Sequence, residues 1–220
     1  ELSKKWKLIK NIKENLESKL PGIDSWNRMA VKPVNDKNIV NNKIVKYENF
    51  LSENKKNEMK KAAVLVCFFE KKGEYYLPLI RRPMHEKNHP GQIALPGGAM
   101  EENETLEKTA LREAFEEVGI VPDNVEIIGK MTPLPVPVSK YVITPFIGVT
   151  ENEPKWNINE QEVDELIILK FKDLIDSNNG YYEDWNLNGN MLRVPIFKIM
   201  NKDIWGATAA VLSELIDLSA

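Results

Sequence analysis

Leu95-Pro96-Gly97-Gly98 leads, after a short acidic segment, into a helical pattern from about Thr105 to Val118, and this stretch restricts the fold more than any other. Leu106, Ala110, Leu111, Ala114, Phe115 and Val118 recur at helical spacing, which predicts one apolar face. Gly119 then ends the helix as a C′ residue. Glu113 lies three residues before Glu116 and four before Glu117, so all three carboxylates fall along one side of the helix. Like charges at this spacing repel, and Arg112 beside them has two partners in reach, Glu116 at i,i+4 or Glu104 behind it.

A glutamate-rich helix with a solvated face would show the same spacing. A divalent cation gives the cluster a purpose. Magnesium, with manganese as second choice, prefers oxygen ligands and keeps room for water and phosphate oxygens. Such an ion neutralises substrate charge and acidifies a bound water. The Gly97-Gly98 pair permits close backbone approach, where a carbonyl can add a ligand.

Charge limits the partners. The 220 residues carry 30 Lys+Arg against 33 Asp+Glu, a formal charge of -3, so no general positive field attracts a nucleic acid. An anionic small molecule must instead meet a local basic patch. Cys67 is the single cysteine and stands in an apolar run, which fits a buried thiol and a reducing compartment. No stretch reaches 18 apolar residues and none resembles a signal segment, so the expectation is a cytoplasmic protein without membrane contact.

The chain divides near residue 60. Trp6, Ile9, Ile12, Leu16 and Leu20 predict an amphipathic helix over Leu2–Leu20, closed by Pro21-Gly22. It has two uses open to it, covering the main domain or meeting a second copy in a homodimer. Residues 31–60 read as an extended arm and loops, which makes 1–60 an accessory region and 61–220 the main domain. There, Ala62–Phe69 and Tyr75–Ile80 predict a hairpin turning at Lys72-Gly73. Further strands are expected near 91–95, 125–128, 142–149, 165–169 and 192–197, with helices near 171–176 and 204–218 and a variable loop running to Asn190. This mixture favours an α+β class over regular βαβ winding.

Gly98, Glu104, Arg112-Glu113, Phe115, Glu116-Glu117, Val118, Gly119 and Ile120 together resemble the 23-residue Nudix box, with no required position altered. The resemblance implies an α/β/α sandwich with a mixed sheet and a loop-helix-loop catalytic motif. It implies water attack on a nucleoside diphosphate linked to another group. It also implies metal ligation by Glu113, Glu116, Glu117 and the Gly97 carbonyl, with Glu104 and Arg112 supporting the helix. A nucleotide-sensing protein that has lost catalysis on the same fold is the alternative.

Upstream, Leu79-Ile-Arg81-Arg82-Pro83 and His89-Pro-Gly-Gln92 resemble the coenzyme A pyrophosphatase branch of that family, as do Leu134-Pro135, Tyr141–Pro145 and Ile204–Thr208. Lys87 and Glu86 depart from the branch, standing where it has arginine and leucine. The resemblance implies cleavage of coenzyme A to 3′,5′-ADP and 4′-phosphopantetheine, with ADP-ribose or another nucleoside diphosphate derivative as alternative. Arg81, Arg82, Lys87, His89 and Gln92 become candidate substrate contacts. Glu162, ahead of Glu165 in a later acidic segment, is the preferred additional carboxylate for activating water.

Overall fold

The computed structural model describes residues 2–34, 47–50, 52–86, 89–177, 181–187 and 189–220. In chain order its elements begin with α1 (Leu2–Leu16), α2 (Ile23–Trp26), β1 (Lys32–Pro33) and α3 (Glu53–Asn57). The central part comprises β2 (Lys60–Lys71), β3 (Glu74–Arg81), β4 (Ile93–Ala94), β5 (Gly97–Ala99), α4 (Leu106–Val118), β6 (Val125–Lys130), β7 (Leu134–Val136) and β8 (Tyr141–Thr150). Then come β9 (Glu165–Lys170), α5 (Phe171–Asp176), β10 (Tyr182–Leu187), β11 (Asn190–Pro195), β12 (Phe197–Ile199), β13 (Lys202–Ile204) and α6 (Gly206–Ser219).

β2 is the axis of the sheet. It runs parallel to β8 from Lys60↔Tyr141 to Phe68↔Val149 and antiparallel to β5 through Ala63↔Gly98. Its far end turns at Lys72-Gly73 into β3, which carries β9 and β4 antiparallel. β6 and β7 pair antiparallel with β8. One parallel pair among antiparallel ones makes the sheet mixed, and the class is α+β.

Successive side chains of a strand point to opposite faces, and β2 divides accordingly. Ala63, Leu65 and Cys67 join Ala110, Ala114 and Val118 of α4 in one buried cluster. Val66 and Phe68 join Ile12, Trp26, Leu212 and Leu215 in the other. The sheet is therefore sandwiched between α4 and a layer built from α6 with α1 and α2.

The N-terminal residues are fastened to that second layer. Ile9, Ile12, Trp26 and Met29 are buried in the same core as the sheet and α6. The Gly22 N–H donates to Glu214 Oε1 at 3.0 Å, and Arg28 Nη2 meets Asp217 at 2.6 Å. Of the two uses open to the helix, α1 makes the contact with its own domain.

Three sequence expectations need correction. α1 stops at Leu16 rather than Leu20, since a turn at residues 17–18 precedes Pro21-Gly22. The stretch read as a variable loop to Asn190 contains β10, an edge strand pairing with β11 and, through it, with β1. Its alternation is carried by Glu183, Trp185 and Leu187 against exposed Tyr182, Asp184 and Asn186, so the polar residues hid it; Trp185 packs on Trp205 with ring centroids 5.2 Å apart. The closing helix begins at Gly206, because residues 202–204 form β13, paired with β12 across a turn in which Met200 and Asn201 have φ of 54° and 58°.

Ile12 is fully buried between α6 and the sheet. Ile12→Ala is expected to lower unfolding free energy by about 2–5 kcal/mol, through lost transfer energy and a residual cavity. Urea denaturation measures it. A change below about 0.5 kcal/mol would contradict the packing of the N-terminal helix into this core.

Candidate active site

α4 is fixed at both ends before any charge is considered. Thr105 Oγ1 accepts from the Lys108 N–H at 3.2 Å as its N-cap. At the other end Gly119 has φ 82°, and a Cβ there would lie 2.8 Å from the backbone nitrogen of Asn157. Only glycine satisfies that turn and that approach together. Ala110, Ala114 and Val118 seat the helix on β2, which turns its glutamate side toward the Gly97-Gly98 strand.

Arg112 organises the acids around it. Its Nε and Nη2 reach Glu104 Oε1 and Oε2 at 2.9 and 3.1 Å, its Nη1 reaches Glu113 and Glu116 at 2.8 and 3.1 Å, and Nη2 also donates to the Ala99 carbonyl at 3.1 Å. Thr109 adds a 2.7 Å hydroxyl donation to Glu104. These donors, Arg112 first, hold the Glu104 carboxyl down to about 2. The planar guanidinium fork is what permits this set of contacts, and a lysine would lose the bidentate geometry.

Glu113, Glu117 and Glu162 each place a carboxylate oxygen within 4.8 Å of the others. Glu117 is buried and accepts the Gly97 N–H at 2.9 Å. Burial pushes its carboxyl up to about 8, against the pull of that N–H and of Arg82, while Glu113 and Glu162 push it further. Burial also raises Glu113, opposed by Arg112. Space requires glycine at 97, where the neighbours are backbone, while a side chain at 98 would displace the end of Glu113. A Cβ on Gly98 would stand 2.5 Å from the Glu113 carboxylate, and one on Gly97 would stand 2.3 Å from the Ala63 carbonyl oxygen.

Glu162 comes from 45 residues beyond Glu117, and the backbone explains how. The Asn157 and Asn159 N–H groups donate to the Val118 and Glu117 carbonyls at 3.1 and 3.0 Å, continuing the end of α4 into a second strand of chain. The turn then closes through Glu162 and Val163 N–H donation to the Asn159 carbonyl, and Asp164 N–H donates to Arg81 O at 3.0 Å. Asn157 and Asn159 were not singled out by sequence reasoning, because main-chain contacts leave no residue-type signal.

The remaining candidates separate into groups. Glu116 stands outside the trio, half exposed and tied to Arg112. Arg82 pairs with Glu86, and its N–H donates to the Gln92 carbonyl at 2.9 Å. His89 Nδ1 lies 3.1 Å from Gln92 Oε1; burial and then Arg82 lower its pKa. Arg82 thus acts electrostatically on both Glu117 and the His89–Gln92 turn. Arg81 points elsewhere, bonding to Glu165 at 3.1 Å and to the Gly91 carbonyl at 3.4 Å. The basic patch expected from Arg81, Arg82 and Lys87 is therefore not one cluster in the described residues, since Arg81 sits on the opposite side of β3 from Arg82 and Lys87 lies outside them.

Three hard oxygen donors from two separate segments, one of them buried, suit a divalent cation such as magnesium or manganese. The NUDIX domain signature matches residues 59–187, more than half of the chain. The chain belongs to the Nudix family. The Nudix hydrolase NudL of Pectobacterium atrosepticum, described as uncharacterized, is 35% identical over 140 residues, covering 63% of this chain and 72% of that protein. The NudL protein of Enterobacter sp. strain 638, described in the same words, is 32% identical over 157 residues, covering 71% of this chain and 81% of its own. Among solved structures, the Nudix hydrolase RenU of M. smegmatis superposes with a TM-score of 0.46 at 22% identity, over 54% of this chain and 74% of that one. This protein is thus a Nudix hydrolase, a pyrophosphohydrolase of nucleoside diphosphate derivatives.

Glu104→Gln removes one charge from the bidentate pair that anchors Arg112, and is expected to cost about 1.5–3 kcal/mol. Because the folded pKa of Glu104 is depressed, its contribution is complete above the ordinary carboxylate range and is lost as pH falls toward about 2. Thermal melts of both proteins between pH 7 and pH 2 should therefore converge on the acid side. A constant difference across that range would contradict the assignment.

Proposed function

We propose that this Nudix hydrolase cleaves the diphosphate of coenzyme A or a close derivative to 3′,5′-ADP and 4′-phosphopantetheine, with ADP-ribose as the second reading. The observation that carries this is the place of Arg82, whose main-chain N–H donates to the Gln92 carbonyl at 2.9 Å and whose guanidinium charge bears on the Glu117 carboxyl. The His89–Gln92 turn is the segment whose sequence resembles the coenzyme A branch. A phosphate on a substrate lying over the glutamates meets a charge-assisted donor there. With Arg81 held by Glu165, the phosphate contact falls to Arg82, where it would compete with Glu86 for a guanidinium whose buried Nε has no partner among the described residues, and His89 and Gln92 line the same turn.

In this reading Glu113, Glu117 and the Gly97 carbonyl would hold magnesium, with manganese as the second choice, and Glu116 would join them by leaving its pair with Arg112. When bound, the cation supplies positive charge to the diphosphate and acidity to a water. Glu162, the exposed member of the trio, accepts the proton from the attacking water. Water attacks one phosphorus, the bridging P–O bond breaks, and the departing phosphate keeps the bond's electron pair. Arg112 and Glu104 keep the glutamates in place, so substitutions there act through geometry. Residues 1–60 support this site as an accessory region, and the described ones among them supply no side chain to the carboxylate trio.

Initial rates with coenzyme A, its 3′-dephospho form, ADP-ribose, NADH and diadenosine polyphosphates, with products identified by mass spectrometry, test the substrate. Coenzyme A is expected to have the highest kcat/KM. Arg82→Ala is expected to raise its KM by about tenfold, as loss of a charge-assisted hydrogen bond implies. A strong preference for ADP-ribose over both coenzyme forms would reject the substrate reading and leave the hydrolase intact.

Glu117→Gln is expected to lower turnover by at least about 100-fold, the order that misplaced catalytic geometry costs, with folding retained by circular dichroism. Wild-type rates for this variant at low magnesium would remove Glu117 from the ligand set.

A further inference from the structure

The hairpin of β12 and β13 lies beyond residue 187, outside the stretch matched by the NUDIX signature. It is nevertheless built into the domain. Phe197, Ile199 and Ile204 are buried in the core cluster on the α6 side of the sheet, and β13 packs beside β4. Lys202, the first residue of β13, sends its ammonium to Glu165 Oε1 at 2.7 Å, while Arg81 Nε takes Glu165 Oε2 at 3.1 Å. Each oxygen of one carboxylate thus has its own cation. The Lys202 side chain is 17% exposed, the least of the three, so solvent screens this contact less than an ordinary surface pair.

Glu165 opens β9 and lies opposite Arg81 in the β3–β9 register. Just before it, the chain emerges from the turn that carries Glu162, and the Asp164 N–H is bonded to the same Arg81 through its carbonyl. Alternation along β9 places Glu165 on the face of Ile167 and Leu169, toward α6. The Glu162 carboxylate belongs to the trio on the α4 face. The turn is accordingly held from α4 by Asn157 and Asn159 and from behind the sheet by the Arg81–Glu165–Lys202 set.

We propose that Lys202 is a positioning residue for the hydrolysis, fixing through Glu165 and Arg81 the start of β9 and with it the place of the Glu162 carboxylate. The inference rests on the reading of Glu162 as the group that activates water. A charge supplied by the segment after residue 187 then determines the geometry of a carboxylate inside the NUDIX stretch. The main chain between Glu162 and Glu165 is short, so a shift of the β9 start reaches the carboxylate with little loss. Misplacement of a reacting group by about 1 Å is enough to cost up to about 100-fold in rate.

The test is a double-mutant cycle of Lys202→Met and Glu162→Gln, run on whichever of coenzyme A and ADP-ribose the wild type turns over faster. Met keeps most of the apolar stem and removes the charge. Lys202→Met alone is expected to lower kcat by about tenfold with KM changed less than about twofold. In the Glu162→Gln background the same change should cost nothing further, and Lys202→Arg should restore kcat to within about twofold of wild type. Amide hydrogen exchange over residues 159–165 should quicken in Lys202→Met while the core strand β2 stays protected. A wild-type kcat for Lys202→Met, unchanged exchange in that segment, or a tenfold loss that persists on top of Glu162→Gln would each overturn the proposal. If Glu162→Gln itself has wild-type turnover, the reading of Glu162 fails and the proposal fails with it. A Glu162→Gln loss without a Lys202→Met loss removes the proposal alone.

Discussion

The crowding of three carboxylates into one small space is the interaction on which the structure around the site depends. Glu113, Glu117 and Glu162 bring oxygens within 4.8 Å of one another, and Glu117 does so while buried. Charge of one sign at this spacing is unfavourable in a medium less polar than water. Three nearby groups answer that cost in part. Arg112 bonds Glu113 directly, the Gly97 N–H donates to Glu117, and Arg82 adds positive potential from β3's end. Glu113, Glu117 and Glu162 would hold a divalent cation, whose charge would offset the remainder.

The fold supplies rigidity to match. α4 is seated by small residues, Ala110 and Ala114, which let it approach β2 closely enough for Gly97 and Gly98 to touch its glutamate side. The opposite face of the sheet is covered by α6 with α1 and α2, through an apolar core continuous from Ile12 to Leu215. Polar ties such as Gly22 to Glu214 and Arg28 to Asp217 fix the orientation of that cover. The carboxylate trio therefore lies on one side of a sheet whose other side is closed by α1, α2 and α6.

Segments 157–165 and 197–204 show how residues far apart in sequence are recruited. The first lies outside the strands until Glu165 opens β9, yet it is fastened to α4 by backbone donation, because the last carbonyls of a helix seek partners. The second closes on the core through alternating apolar residues and delivers Lys202 to Glu165. Arg81 and Arg82, adjacent in sequence, serve opposite faces of β3, one in the brace behind the sheet and the other beside the glutamates.

The sequence by itself determined the elements whose signal is local. Helical spacing defined α4 and placed its glutamates on one side, Gly119 marked its end, and the apolar run from Ala62 with the Lys72-Gly73 turn defined the β2–β3 hairpin. The pairing of Arg112 with Glu104 and Glu116 was legible because these partners lie on one helix or its lead-in, whereas its contact with Glu113 came from the structure. The 23-residue pattern also identified the family. Only tertiary structure decided that Glu162 joins the trio while Glu165 turns away to Arg81 and Lys202. It also decided that the basic cluster divides and that β10 and β13 are strands. The physical reason is the same in each case. A strand with mixed polarity is stabilised by its pairing partner, and a carboxylate's role is set by whichever charges the fold brings beside it, and neither is encoded by neighbours in the chain.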